Sequence, residues 1–176
     1  MLSGCISGIW TGANLLYDRH SVMNTVSDYE LNLNVNHALF HDDYFVCAEC
    51  HLDVAVFNGD ILLAGHVETE EMRQEAYKRV NTVSGYRRLF KEISIQPIRT
   101  NIAKDSWITT KIRSKIVADS EINPHMVKVV TSDQVVYLMG DVIATQADWI
   151  IDIAKNTTGV LRVVKLFKYY HLSDKS

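Results

Sequence analysis

One pattern occurs twice along this chain, and any fold must accommodate both copies. In the first, Asp60-Ile61-Leu62-Leu63-Ala64-Gly65-His66-Val67 precedes a stretch of helical spacing and then Val83-Ser84-Gly85-Tyr86-Arg87-Arg88. In the second, Gln134-Val135-Val136-Tyr137-Leu138-Met139-Gly140-Asp141-Val142 precedes another such stretch and then Thr158-Gly159-Val160-Leu161-Arg162-Val163. The glycines are 20 residues apart in one copy (Gly65, Gly85) and 19 in the other (Gly140, Gly159). A repeat of this kind means two copies of one supersecondary unit.

Local patterns spell out the unit. Leu31, Val35 and Leu39 within 29–41, and Ile108, Ile112 and Ile116 within 106–118, fall at helical spacing. Val54–Phe57 then leads through Asn58-Gly59, a type I′ hairpin signal, into Ile61–Ala64. Val127–Val130 leads through Thr131-Ser132-Asp133 into Val135–Met139. The helix after each hairpin has an N-cap candidate: Thr69, and Thr145 with Asp148 as capping-box partner. Its inward positions are Met72, Ala76, Val80 and Val83 in one copy and Ala147, Ile150, Ile151 and Ala154 in the other. Gly85 and Gly159 stand where a helix takes a left-handed C′ residue, and final strands follow at Arg88–Ile95 and Val160–Tyr169. The order is αββαβ, twice. Gly65 and Gly140 are read as structural glycines, permitting close backbone approach or a bulge.

The chain therefore divides into a tether at 1–27, a first module at 28–96, a linker with Pro97 at 97–104, a second module at 105–172 and a tail at 173–176. So short a linker leaves the modules little freedom, and they are expected to pack together. Charge is uneven. Residues 28–103 carry 7 Lys+Arg against 12 Asp+Glu, whereas 104–176 carry 10 against 8. The second half thus suits an anionic partner, while the overall charge of −3 gives no signal for nucleic acid. No run approaches the ~18 apolar residues of a membrane-spanning helix. The opening Leu2-Ser3-Gly4-Cys5 has the small residues and cysteine that end a bacterial lipobox. It sits where a mature lipoprotein begins once its signal peptide is removed, Met1 then being an added initiator. Cys5 is accordingly expected to carry the lipid.

An αββαβ module with one glycine after its second strand and another before its third resembles the BON domain. Two of them behind a lipobox-like cysteine resemble the dual-BON outer-membrane lipoprotein family. Tyr17-Asp18-Arg19-His20-Ser21 is similar to that family's segment after the anchor. Asp105-Ser106-Trp107-Ile108-Thr109-Thr110-Lys111-Ile112-Arg113-Ser114 is similar to the hallmark opening its second module. Val46 to His51 departs from the pattern at Cys47 and Cys50, so no family contact is carried onto that segment. The resemblance implies an α+β fold, each module a small mixed three-stranded sheet covered by two helices, and a non-enzymatic protein without cofactor. It implies attachment to the periplasmic face of the outer membrane. It also implies contact with anionic phospholipids (phosphatidylglycerol, cardiolipin) through the first helix of the second module, and a part in envelope integrity, including at division sites. Ile6 and Ser7 after the cysteine, with no Asp in the inner-membrane retention position, agree with outer-membrane sorting.

The residues of that helix suit such a surface. Trp107, Thr110, Lys111 and Ser114 fall at i, i+3, i+4 and i+7, forming a stripe opposite the isoleucines, with Arg113 and Lys115 flanking it. An indole at headgroup depth beside an ammonium that pairs with phosphate is an interfacial arrangement. Spacing alone equally allows Trp107 to pack on the first module; the resemblance favours lipid. Cys47-Ala48-Glu49-Cys50-His51, near His37 and His41, lacks the paired spacing of a structural zinc site. An oxidised pair or two core thiols fits better, and no metal is expected. His66, His125 and His171 are read as scattered surface residues. Two other classes stay open: a soluble stress or chaperone-like protein, and an adaptor of an outer-membrane assembly machine using the acidic first module.

Overall fold

A computed structural model describes residues 27–96 and 100–170. The first module runs α1 (27–40), β1 (His51–Phe57), β2 (Asp60–Val67), α2 (Glu70–Asn81) and β3 (Arg88–Ile95). The second runs α3 (Ile102–Ala118), a 3-10 turn (Pro124–Met126), β4 (Val127–Ser132), β5 (Val135–Val142), α4 (Ala144–Lys155) and β6 (Arg162–Tyr169). Each sheet has the hairpin's second strand in the middle, antiparallel to the first strand and parallel to the third. This is the mixed α+β unit expected, present twice.

Period-two alternation on the central strands sets the layers. On β2, Ile61, Leu63 and Val67 meet Leu31, Val35 and Leu39 of α1 and Ala76 and Val80 of α2. On β5, Val136, Leu138 and Val142 meet Ile108, Ile112 and Ile116 of α3 and Ala147, Ile150 and Ala154 of α4. The alternate residues turn to the opposite face. Leu62 and Ala64 from β2, Ala55 from β1, Tyr137 and Met139 from β5 and Leu166 from β6 form one further buried cluster between the sheets. The sheets thus stack back to back in four layers, helices outside. All eight positions of β2 are buried, which accounts for its almost unbroken apolar run.

Polar groups join the modules in a pseudo-twofold manner. The residue after the strand-end glycine of each module reaches the hairpin turn of the other: His66 Nδ1 lies 2.7 Å from Asp133 Oδ2, and Asn58 Nδ2 donates to Asp141 Oδ2 at 3.1 Å. His66 is therefore a buried interface residue, 1 % exposed, not the surface histidine its sequence context suggests. Lys128 Nζ adds a bond across to the Val56 carbonyl at 2.9 Å.

Several local details depart from expectation. Asn101, whose side chain accepts from Lys104 N, caps α3, which therefore starts before Ser106. Thr69 does cap α2, accepting from Met72 N at 3.2 Å. Thr145 does not cap α4: the helix opens one residue earlier, with Ile143 at the cap and no side-chain bond, so Thr145 lies within the first turn. The second hairpin turns at Asp133-Gln134, both with positive φ, because β4 continues through Ser132. Gly85 and Gly159 are left-handed as expected, but they lie three residues beyond the C-caps Thr82 and Asn156, in the turns entering β3 and β6.

Gly65 and Gly140 have a steric cause. A Cβ on Gly65 would stand 2.0 Å from the His51 carbonyl oxygen, and one on Gly140 would stand 2.4 Å from that of Met126. Both obstructing atoms are backbone, in β1 for Gly65 and in the 3-10 turn for Gly140, so main chain must move. Gly65→Ala and Gly140→Ala are each expected to lower the thermal midpoint by several degrees, since about 1 kcal/mol shifts a domain of this size by roughly 2–8 °C; melts within a degree of wild type would refute the constraint. Leu62→Ala, which opens the inter-sheet cluster, is expected to cost about 2–5 kcal/mol. Because that cluster belongs to both modules, calorimetry should show one transition shifting as a whole, not the first module alone.

Candidate functional site on helix α3

Helix α3 is amphipathic in a simple way. Ile108, Ile112 and Ile116 are buried, whereas Trp107, Thr110, Lys111 and Ser114 are exposed on the opposite side. Trp107 is 46 % exposed, so it does not pack away against the first module. The Lys111 ammonium lies 4.3 Å from the centroid of the Trp107 ring, a cation–π contact that orients both groups outward. Thr110 Oγ1 donates to the Ser106 carbonyl at 2.8 Å, and Val117, 68 % exposed, adds apolar surface toward the helix end.

The flanking cations separate. Lys115 Nζ turns toward α4 and donates to Thr157 Oγ1 at 3.1 Å, while Lys104 bonds Gln134 Oε1. Arg113 lies on the other flank, lining a cleft of about 430 Å³ between the modules with Phe57, Val117, His125 and Lys128. Burial lowers the pKa of Lys128 in that cleft. The structure thus gathers Trp107, Thr110, Lys111 and Ser114 into one patch and places Arg113 beside it.

A residue not picked out by its chemistry in the sequence positions the patch. Asp105, 6 % exposed, faces inward from the first turns of α3 and accepts from the backbone N–H groups of Asp133 and Gln134, both at 2.9 Å. It thereby ties the helix to the tip of its own hairpin. Burial pushes its carboxyl pKa up against the lowering effect of those two bonds. Asp28 does the same in the first module, accepting from Asn58 N at 2.6 Å and Gly59 N at 2.8 Å. The sequence signals were positional, an aspartate in the same place in each copy of the repeat and the first residue of the stretch similar to the family's hallmark.

Two αββαβ modules with their glycines at the strand ends, stacked through their bare sheet faces, define a tandem BON protein. Residues 34–97 and 104–169 match the BON domain model, and the chain belongs to that family. It is 30% identical over 174 residues to "Outer membrane lipoprotein DolP" of Haemophilus influenzae, covering 96% of this chain and 90% of the relative. It is 33% identical over 154 residues to "21 kDa hemolysin" of Actinobacillus pleuropneumoniae (86% and 79% covered). "Osmotically-inducible protein Y" of Escherichia coli is 28% identical over 149 residues (82% and 73% covered).

Asp105→Ala removes the partner of two part-buried N–H groups at the hairpin tip, and a fully buried donor left without a partner costs about 1–3 kcal/mol. The variant is expected to be destabilised by about 1–3 kcal/mol in urea unfolding, and amide exchange at Asp133 and Gln134 should accelerate. Wild-type protection at both amides would show that the carboxylate does not hold the turn.

Proposed function

We propose that this chain is a lipoprotein of the outer membrane's periplasmic face that docks on anionic phospholipid through α3 and supports envelope integrity, including at division sites. The observation that carries the reading is the exposed Trp107 with the Lys111 ammonium held against its ring. An indole settles at headgroup depth, and a cation beside it meets phosphate there. Thr110 and Ser114 add hydroxyls, and Arg113 adds a second charge at the patch border. Each basic residue near an anionic surface contributes on the order of 1 kcal/mol, so the helix alone binds modestly. A lipid on Cys5, which lies outside the described residues, supplies the second signal that stable attachment requires. The likeness to a relative named as an outer membrane lipoprotein supports this placement. Among the described residues no helix is long and apolar enough to cross a membrane, and such a protein needs none.

The first module favours a second reading, contact with an outer-membrane assembly protein. Helix α1 exposes Tyr29, Leu33 and Phe40, apolar surface on the acidic half of the chain.

The test is flotation of the unacylated chain with phosphatidylglycerol or cardiolipin vesicles against phosphatidylcholine vesicles. Binding is expected to the anionic vesicles alone and to weaken with salt, because exposed charges are screened within about 10 Å at 0.1 M. Trp107→Glu should abolish it with the circular dichroism spectrum unchanged, and Lys111→Ala should weaken it. A folded Trp107→Glu chain that floats like wild type would remove α3 as the docking site.

A further inference from the structure

Cys47 and Cys50, in the loop between α1 and β1, are joined as a disulfide with Cα atoms 5.1 Å apart. The loop needs little stapling. Phe45 is buried in the first module's core, Cys50 packs against that core, and Cys50 N donates to the Cys47 carbonyl. A disulfide constrains the unfolded chain less as its loop shortens, and this one encloses only two intervening residues. Both cysteines remain partly exposed.

The sheet supplies a third group. His51 pairs with His66 across β1 and β2, which brings Glu68, just past the end of β2, up to the Cys47–Cys50 turn. The two sulfurs and a Glu68 carboxylate oxygen all lie within 4.8 Å of one another. A carboxylate there disfavours thiolates in the reduced protein. Thiols used in disulfide exchange have the opposite environment, electropositive and with lowered pKa. A bound divalent cation reverses that penalty, because the same carboxylate then becomes a ligand. Zinc takes thiolate sulfur at about 2.3 Å and carboxylate oxygen at about 2.0–2.2 Å, so it accepts all three donors gathered here.

We infer that the reduced form of this turn binds a thiophilic divalent cation of the zinc class through Cys47, Cys50 and Glu68, with a fourth position left to water. A dithiol reductant breaks the S–S bond by delivering two electrons and two protons, and leaves as its own disulfide. The cation then displaces both thiol protons, giving two thiolates and one carboxylate around a 2+ charge. In the oxidised form the sulfurs are spent on each other and the site is closed. This inference goes beyond the membrane reading and stands independently of it.

Cobalt(II) titration of the full chain carrying Cys5→Ser, reduced and then freed of reductant under anaerobic conditions, tests it. One cobalt per chain should bind with thiolate-to-metal charge-transfer absorption, and zinc should displace it. The oxidised chain should show no such band, and Cys47→Ser should abolish it. Glu68→Gln, on an exposed side chain, should keep the circular dichroism spectrum and weaken binding by about tenfold or more, as loss of even an outer-shell partner does. Absence of the band in the folded, reduced chain would overturn the site. So would one cobalt shared between two chains, or unchanged affinity in Glu68→Gln.

Discussion

Burial of the second face of each sheet is the constraint on which the rest of the structure depends. A three-stranded sheet covered by two helices hides one face and leaves the other bare. Here Leu62 and Ala64 are covered by Tyr137, Met139 and Leu166. Neither module keeps its inner face dry without the other, and the polar ends of the interface repeat the same logic. His66 needs the Asp133 carboxylate, and Asp141 takes Asn58. A buried imidazole with no partner would be costly, so these pairs fix the register of one module on the other as well as adding attraction.

With the sheet faces committed to each other, outward surface belongs to the helices. That gives α3 its two-sided character: three isoleucines hold it to β4 and β5, and Trp107 and Lys111 are left facing outward. Asp105 makes the arrangement definite, since a carboxylate bonded to two turn amides allows the helix neither to slide nor to roll. The docking patch proposed on α3 would therefore be pre-organised, with little ordering cost to meet at a surface. Asp28 and α1 repeat the device without a Lys or Arg, and α1 exposes Tyr29, Leu33 and Phe40 alongside Glu30, Asn34 and His37.

Much of this was legible in the sequence because it is local. The isoleucine spacing gave the buried side of α3, and the same spacing gave the Trp107 stripe; Asn58-Gly59 marked its hairpin, and Gly65 and Gly140 marked strand ends where a Cβ has no room. What stayed hidden depends on pairings distant in the chain. His66 looks like any surface histidine until a turn 67 residues away supplies Asp133. Glu68 reaches Cys47 and Cys50 only through the register of β1 on β2. Thr145-x-x-Asp148 reads as a capping box, but α4 begins at Ala144, one residue ahead of its proposed cap. Arg113 counts with Lys111 by composition, and the helix turn sets it at the border of the patch, where it also lines a cleft with Phe57 of the first module.

The claim that α3 is a membrane-docking helix is tested most directly at the indole itself. With Trp10 and Trp149 replaced by phenylalanine, Trp107 is the sole tryptophan of the chain, and its emission can be followed with bromine-labelled lipids. In phosphatidylglycerol vesicles labelled near the headgroups, Trp107 fluorescence should be quenched and shifted to the blue, with no change in phosphatidylcholine vesicles. Emission that stays the same in both, while the chain floats with the anionic vesicles, would mean that another surface meets the lipid.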